Sequence, residues 1–253
     1  MNSIAIASIS FACMFGGALL GICARRFLPG DHLSPDSRDV VKLGAGLIAT
    51  VAALVLGLMV SSAKGTFDSI NAGLIQTGAN FSDLDRILAQ YGPEADVARY
   101  QLRQSIASTI HRIWPKTKAE TGGIRAVQLS TETETVGDTL RRLTPNDESQ
   151  RILKAEALRI YNDAMKVRWT LIQQAHASIP TVFLVVLIFW FTVLFAVFTL
   201  LSPGNVTVNV VMFFCSLSVA GGILLILDMN RPFEGFVKVS SGQLENALKH
   251  LGR

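Results

Sequence analysis

The residues able to do chemistry are few and scattered. Four histidines, His32, His111, His176 and His250, stand far apart, with no spacing that would gather a metal ligand set. Solvated or helix-capping roles suit them better. Cys13, Cys23 and Cys215 all lie inside long apolar stretches, where they form neither a disulfide framework nor a metal site and act as small packing residues. A Walker loop, a Gly-x-Ser-x-Gly elbow, a His-Glu-x-x-His helix and a Cys-x-x-Cys pair are all missing from the sequence. The carboxylates are spread out, with no candidate acid–base dyad. The chain therefore reads as no enzyme, with no catalytic residue, cofactor or metal. One polar cluster stands out, Asp228-Met229-Asn230-Arg231-Pro232-Phe233-Glu234-Gly235, in which Asp228 and Arg231 are near enough to pair at a helix end. A helix stop with an interfacial clasp is its expected role, ahead of a ligand site.

The elements that must position these residues follow from hydropathy. The 253 residues are 50% hydrophobic and 17% charged, with a mean hydropathy of +0.40, against about 25% charged in an ordinary soluble domain. Such a composition excludes disorder. Four stretches, Ile4 to Cys23, Leu43 to Ser62, Ile179 to Leu201 and Val206 to Leu227, carry no charge at all, and each reaches the roughly 20 apolar residues that cross a bilayer. The first has neither the basic start nor the small-residue cleavage site of a signal peptide, so it reads as a retained helix. The expected fold is an all-α integral membrane protein: transmembrane helices 1 and 2 over 1–62, a cytoplasmic helical region over 63–178, a hairpin of helices 3 and 4 over 179–227, and a C-terminal cytoplasmic tail over 228–253.

Ser202-Pro203-Gly204-Asn205 has the residue order of a type II turn and makes the last two spans antiparallel. Four crossings put the large region and both termini on one side. That region holds 15 Lys or Arg, the tail 4 and the first loop 4, namely Arg25, Arg26, Arg38 and Lys42. Long domains weigh little in the positive-inside rule, and the uncharged third-to-fourth turn tips the balance toward a cytoplasmic large region. Nucleic-acid binding would need a concentrated basic stripe with stacking aromatics, whereas these charges alternate in sign. The net charge of +4 suits loops facing anionic lipid.

The second span carries small residues at every fourth position, Ala45, Ala49, Ala53, Gly57 and Ser61. Close backbone approach along such a row drives helix association in lipid, either within the chain or between subunits. Beyond it, Phe67, Ile70, Leu74, Phe81, Leu84, Leu88 and Tyr91, with Thr77 in the one gap, continue at alternating steps of three and four. One helix is expected from roughly Asp39 to Tyr91. A second helix starts at Pro93 and stops before Trp114-Pro115, a Thr-rich one spans Ala126 to Leu143, and another follows the cap at Thr144-Pro145-Asn146-Asp147-Glu148. Phe236-Val237-Lys238-Val239 suggests a short strand, and Ser240 with Gln243 a capping box for a last helix bearing Leu244, Leu248 and Leu251. The third span is rich in Phe and Trp, which suits a peripheral, lipid-facing helix; the small-residue second span suits a central one.

Taken together, Asp36-Ser37-Arg38-Asp39-Val40-Val41-Lys42-Leu43-Gly44, the run Gly57 to Phe67, Leu84-Asp85-Arg86, Tyr91-Gly92-Pro93-Glu94-Ala95, Ile113-Trp114-Pro115 and the terminal Asp228, Arg231, Pro232, Phe233 and Gly235 resemble the bacterial domain of unknown function 4239 family of bestrophin-like membrane proteins. The resemblance implies a homo-oligomeric, pentameric ion channel of the bacterial inner membrane, partnered by the lipid bilayer, by copies of itself and by inorganic ions. It also implies that the second span lines the pore, where no ring of charge is visible and hydroxyls such as Thr50 would face the ions. A membrane-anchored scaffold or sensor, whose helical region binds a protein partner without conductance, is the alternative.

Overall fold

A computed structural model describes residues 2–27, 35–114, 132–176, 181–202, 205–233 and 235–251. Its elements are α1 (Ser3–Phe27), α2 (Pro35–Tyr91), a 3-10 turn (Pro93–Ala95), α3 (Asp96–Ile113), α4 (Glu132–Arg142), α5 (Glu148–His176), α6 (Thr181–Leu201), α7 (Val206–Met229) and α8 (Gly242–His250). All regular structure among the described residues is helical. Four helices, α1, α2, α6 and α7, are long and apolar enough to cross a membrane. The chain divides into two units, one made of Met1–Gly65 with Ser178–Asn230, the other of Thr66–Ala177 with Arg231–Arg253. The 57-residue α2 contributes to both.

In the first unit, the tightest packing joins α1 to α6. A Cβ on Gly21 would stand 2.1 Å from the Ala196 carbonyl oxygen, and one on Gly17 would stand 2.7 Å from Thr192. Only glycine allows backbones so close, as expected of a small-xxx-small motif in lipid. The Thr199 hydroxyl, 2.8 Å from the Ala18 carbonyl oxygen, donates across the pair, and Arg25 donates to the carbonyl of Ser202 at the end of α6, where a cation offsets the helix dipole. Since Gly17 meets Thr192 and Gly21 meets Thr199, α1 and α6 run parallel, as first and third spans must. Phe213 of α7 packs edge-on against Phe11 and Phe15. Met14, Ala52, Leu187 and Ile223 close the core, while Leu20, Leu43, Leu54, Phe189 and Phe214 point outward, an apolar exterior that a bilayer covers.

The second unit is a bundle around Leu84, Leu88, Leu102, Ile106, Val136, Leu140 and Ala164. Two glycines set its spacing: a Cβ on Gly73 would meet Leu171 at 2.5 Å, and one on Gly137 would meet the Tyr161 ring at 2.5 Å. Gly92, at φ 116°, turns the chain out of α2. Asp147 accepts from Gln150 N–H at 2.7 Å and starts α5, the cap expected of that segment. Lys154 donates to the last carbonyls of α4 and its flank, Arg141 and Leu143, at 2.8 and 2.7 Å.

Several expectations need correction. α2 begins at Pro35 rather than near Asp39, because Pro fits the first helical turn. Phe236 to Val239 forms no strand, since Val239 N–H donates back to the Pro232 carbonyl instead of to a neighbouring strand. The last helix is preceded by Ser241 rather than Ser240: Ser240 accepts from Gly242 N–H at 3.1 Å, and Ser241 donates to Glu245, while the Gln243 side chain of the expected capping box lies outside the described residues. Apart from these corrections, α6 is more covered within one chain than the membrane stretch of α2. Bulky side chains interdigitate as readily as small ones when glycines on α1 admit them. The expected type II turn, the start of the Thr-rich helix, and Pro115 lie outside the described residues.

Candidate functional site

The row Ala45, Ala49, Ala53, Gly57 and Ser61 does not hold one face. Four residues exceed one helical turn by about 40°, so the row winds around α2. Ala45 is buried, Ala49 half-buried, and Ala53, Gly57 and Ser61 are exposed, with open space around the Gly57 Cα. The covered face of this stretch is instead Ala45, Ala52, Met59 and Ala63. On the opposite side, Leu43, Leu47, Thr50, Leu54, Gly57 and Ser61 recur at steps of four and three, and every one is exposed. That spacing is a straight seam along a helix. Thr50 donates to Gly46 O at 2.9 Å, which leaves its oxygen lone pairs outward on a segment, Leu43 to Ala63, with no charge. The seam is a bare apolar stripe interrupted by two hydroxyls and a glycine.

The motif after the fourth span is built differently. Asp228, at the end of α7, is buried, and both it and Arg231 have interaction partners. In the second unit, Pro232 is buried and its carbonyl accepts from Val239 N–H at 2.8 Å. Gly235 has φ 92°, which explains the glycine at this turn. Phe233 lies edge-on to Trp114, with ring centroids 5.7 Å apart, and the Trp114 indole N–H donates to Val239 O at 3.0 Å. The Trp114 and Phe233 motifs, 119 positions apart in sequence, therefore meet in one clasp.

A buried carboxylate of the second unit, Asp85, is held in an ion pair. Arg99 grips Asp85 through two hydrogen bonds, at 2.9 and 3.2 Å, a bidentate geometry that fixes α3 against α2. The hydrogen bond to Asp85 holds the Arg99 guanidinium above its ordinary pKa. Burial pushes Arg168 below its ordinary value and the Tyr161 phenol above. Arg168 borders a small apolar cavity of about 50 Å³ with Phe81, Ile106 and Leu171. Among the described residues no group of three or more His, Cys, Asp or Glu could hold a metal ion.

Sequence reading missed the Gly17-x-x-x-Gly21 contact, although its spacing was visible, and the Arg25 cap, which only the fold brings to Ser202. Comparison with known proteins fits this architecture. The profile of the bestrophin-like domain matches residues 12–244. The chain belongs to the bestrophin-like family. No curated protein matches its sequence. Among solved structures, a tryptophan-to-alanine variant of a bacterial bestrophin homologue from Klebsiella pneumoniae is similar at a TM-score of 0.70 and 12% identity, covering 99% of this chain and 97% of that one. An aspartate-to-alanine variant from the same organism gives 0.70 and 13%, over 96% and 97%. At such identities the likeness shows the bestrophin fold, and this chain is a bestrophin-like membrane protein.

Proposed function

We propose that this bestrophin-like chain assembles with copies of itself, as a pentamer, into an ion channel whose conducting path is lined by α2. The observation that carries the reading is the exposed seam Leu43, Leu47, Thr50, Leu54, Gly57 and Ser61. A lipid-facing helix gains nothing from hydroxyls and glycine along one straight line, whereas a helix facing its own copies around a narrow path uses apolar side chains as constrictions and hydroxyls as ion contacts. Ala53 and Ala49, beside the seam, supply the close flanks between neighbouring α2 helices. The protein sits in the inner membrane with its termini and its second unit in the cytoplasm.

Purified protein inserted into planar bilayers should pass ion current. Repeated silence with insertion demonstrated would overturn the channel. The scaffold reading draws on Val97, Tyr100, Ile152 and Trp169, large side chains exposed on the second unit; it predicts a bound protein partner and no current.

A further inference from the structure

We propose that the first unit holds a specific site for an anionic phospholipid at the membrane boundary where α1 and α6 end. A groove of about 250 Å³ opens there between α6 and α7, lined by Phe198, Ser202, Thr207, Val208, Val211 and Met212. An apolar cavity of about 150 Å³ accommodates benzene, so this groove takes a run of acyl methylenes. Ser202 connects the groove to charge: its carbonyl is the acceptor for Arg25. That bond uses one of five guanidinium donors, and a phosphate is matched by a bidentate pair of them. Arg25 is half-buried and Arg26 exposed beside it. The described charged residues of this boundary are Arg25, Arg26, Asp36, Arg38, Asp39 and Lys42, four basic against two acidic, with Asp39 paired to Lys42 at 2.9 Å.

The occupant is set by these two features together. An apolar groove alone would take any lipid tail, and two arginines alone would take any anion. Joined at Ser202, they select a molecule with a phosphate carrying net negative charge and an acyl chain directly attached, which a bilayer supplies and bulk solution does not. Arginine matches phosphate oxygens bidentately, and the surrounding lipid boundary lowers the competition from water.

Native mass spectrometry of the full chain released from detergent micelles doped with equal amounts of phosphatidylglycerol and phosphatidylethanolamine tests the site. The chain should retain phosphatidylglycerol preferentially. Each of Arg26→Gln and Arg25→Gln should weaken retention about fivefold, the effect of one cation near a membrane surface. Arg26→Gln leaves the Ser202 cap intact, so a loss there is not a folding defect. Val211→Trp, which fills the groove without altering charge, should also abolish retention. Equal retention of both lipids, or retention unchanged by Arg26→Gln, would overturn the proposal. Displacement by millimolar inorganic phosphate together with indifference to Val211→Trp would overturn it too, by reassigning the arginines to a free anion.

Discussion

Gly21 shows how much single residues decide here. Gly21→Ala forces a methyl against the Ala196 carbonyl, 2.1 Å away, and should lower stability by about 1–3 kcal/mol, the usual cost of overpacking. Gly16→Ala, with open space around it, should leave the melting temperature in detergent unchanged; the pair of variants checks the contact. In the second unit, Asp85→Asn removes the bidentate carboxylate and leaves the 20%-exposed Arg99 guanidinium only Asp96, 4.0 Å away, and chemical denaturation should show a loss of about 1–3 kcal/mol. Tyr161 gives a pH signature. Because burial raises its pKa above 10.0, its stabilisation is complete below that value and disappears as pH rises through the higher folded-state value. Unfolding followed above about pH 10 should show this slope, and Tyr161→Phe should lessen it, leaving the share of Tyr91, whose pKa burial also raises. Residue types were legible in sequence, but partners were not: Asp85 and Arg99 sit 14 positions apart with nothing in either motif to join them, and Thr199 reaches Ala18 across 181 positions.

At the scale of elements, α2 was the most readable helix and its faces the least. An uncharged run followed by apolar residues at steps of three and four fixes a continuous helix, and it indeed reaches Tyr91. The fourfold row of small residues, however, drifts about 40° per step, so Ala45 packs inside the unit while Ser61 faces out. Faces follow from what lies opposite, which periodicity alone does not encode. If the exposed flank of α2 meets neighbouring copies, Ala53→Leu should break the oligomer on native mass spectrometry while the helicity of the separated chains stays intact; an unchanged oligomer would place Ala53 against lipid. The clasp makes a separate prediction. Trp114→Phe keeps the ring against Phe233 and removes the N–H bond to Val239, so amide exchange over 235–241 should speed up by the equivalent of about 1 kcal/mol.

The whole molecule was legible to the extent that charge partitions cleanly. None of the 42 charged residues falls in the four predicted spans, and that separation is what a bilayer demands of sequence. Assembly leaves a fainter trace, because a surface buried between copies and one covered by lipid are both apolar. In the proposed channel, the hydroxyls and glycine of the α2 seam are the features that would tell them apart. The most direct measurement is ion current through a cysteine-free channel carrying Gly57→Cys, recorded before and after a charged, water-soluble methanethiosulfonate. A pore lined by this seam predicts a current that falls on modification and recovers with reductant. A current indifferent to the reagent, with Gly57→Cys shown to be labelled, would put the conducting path elsewhere and contradict the account.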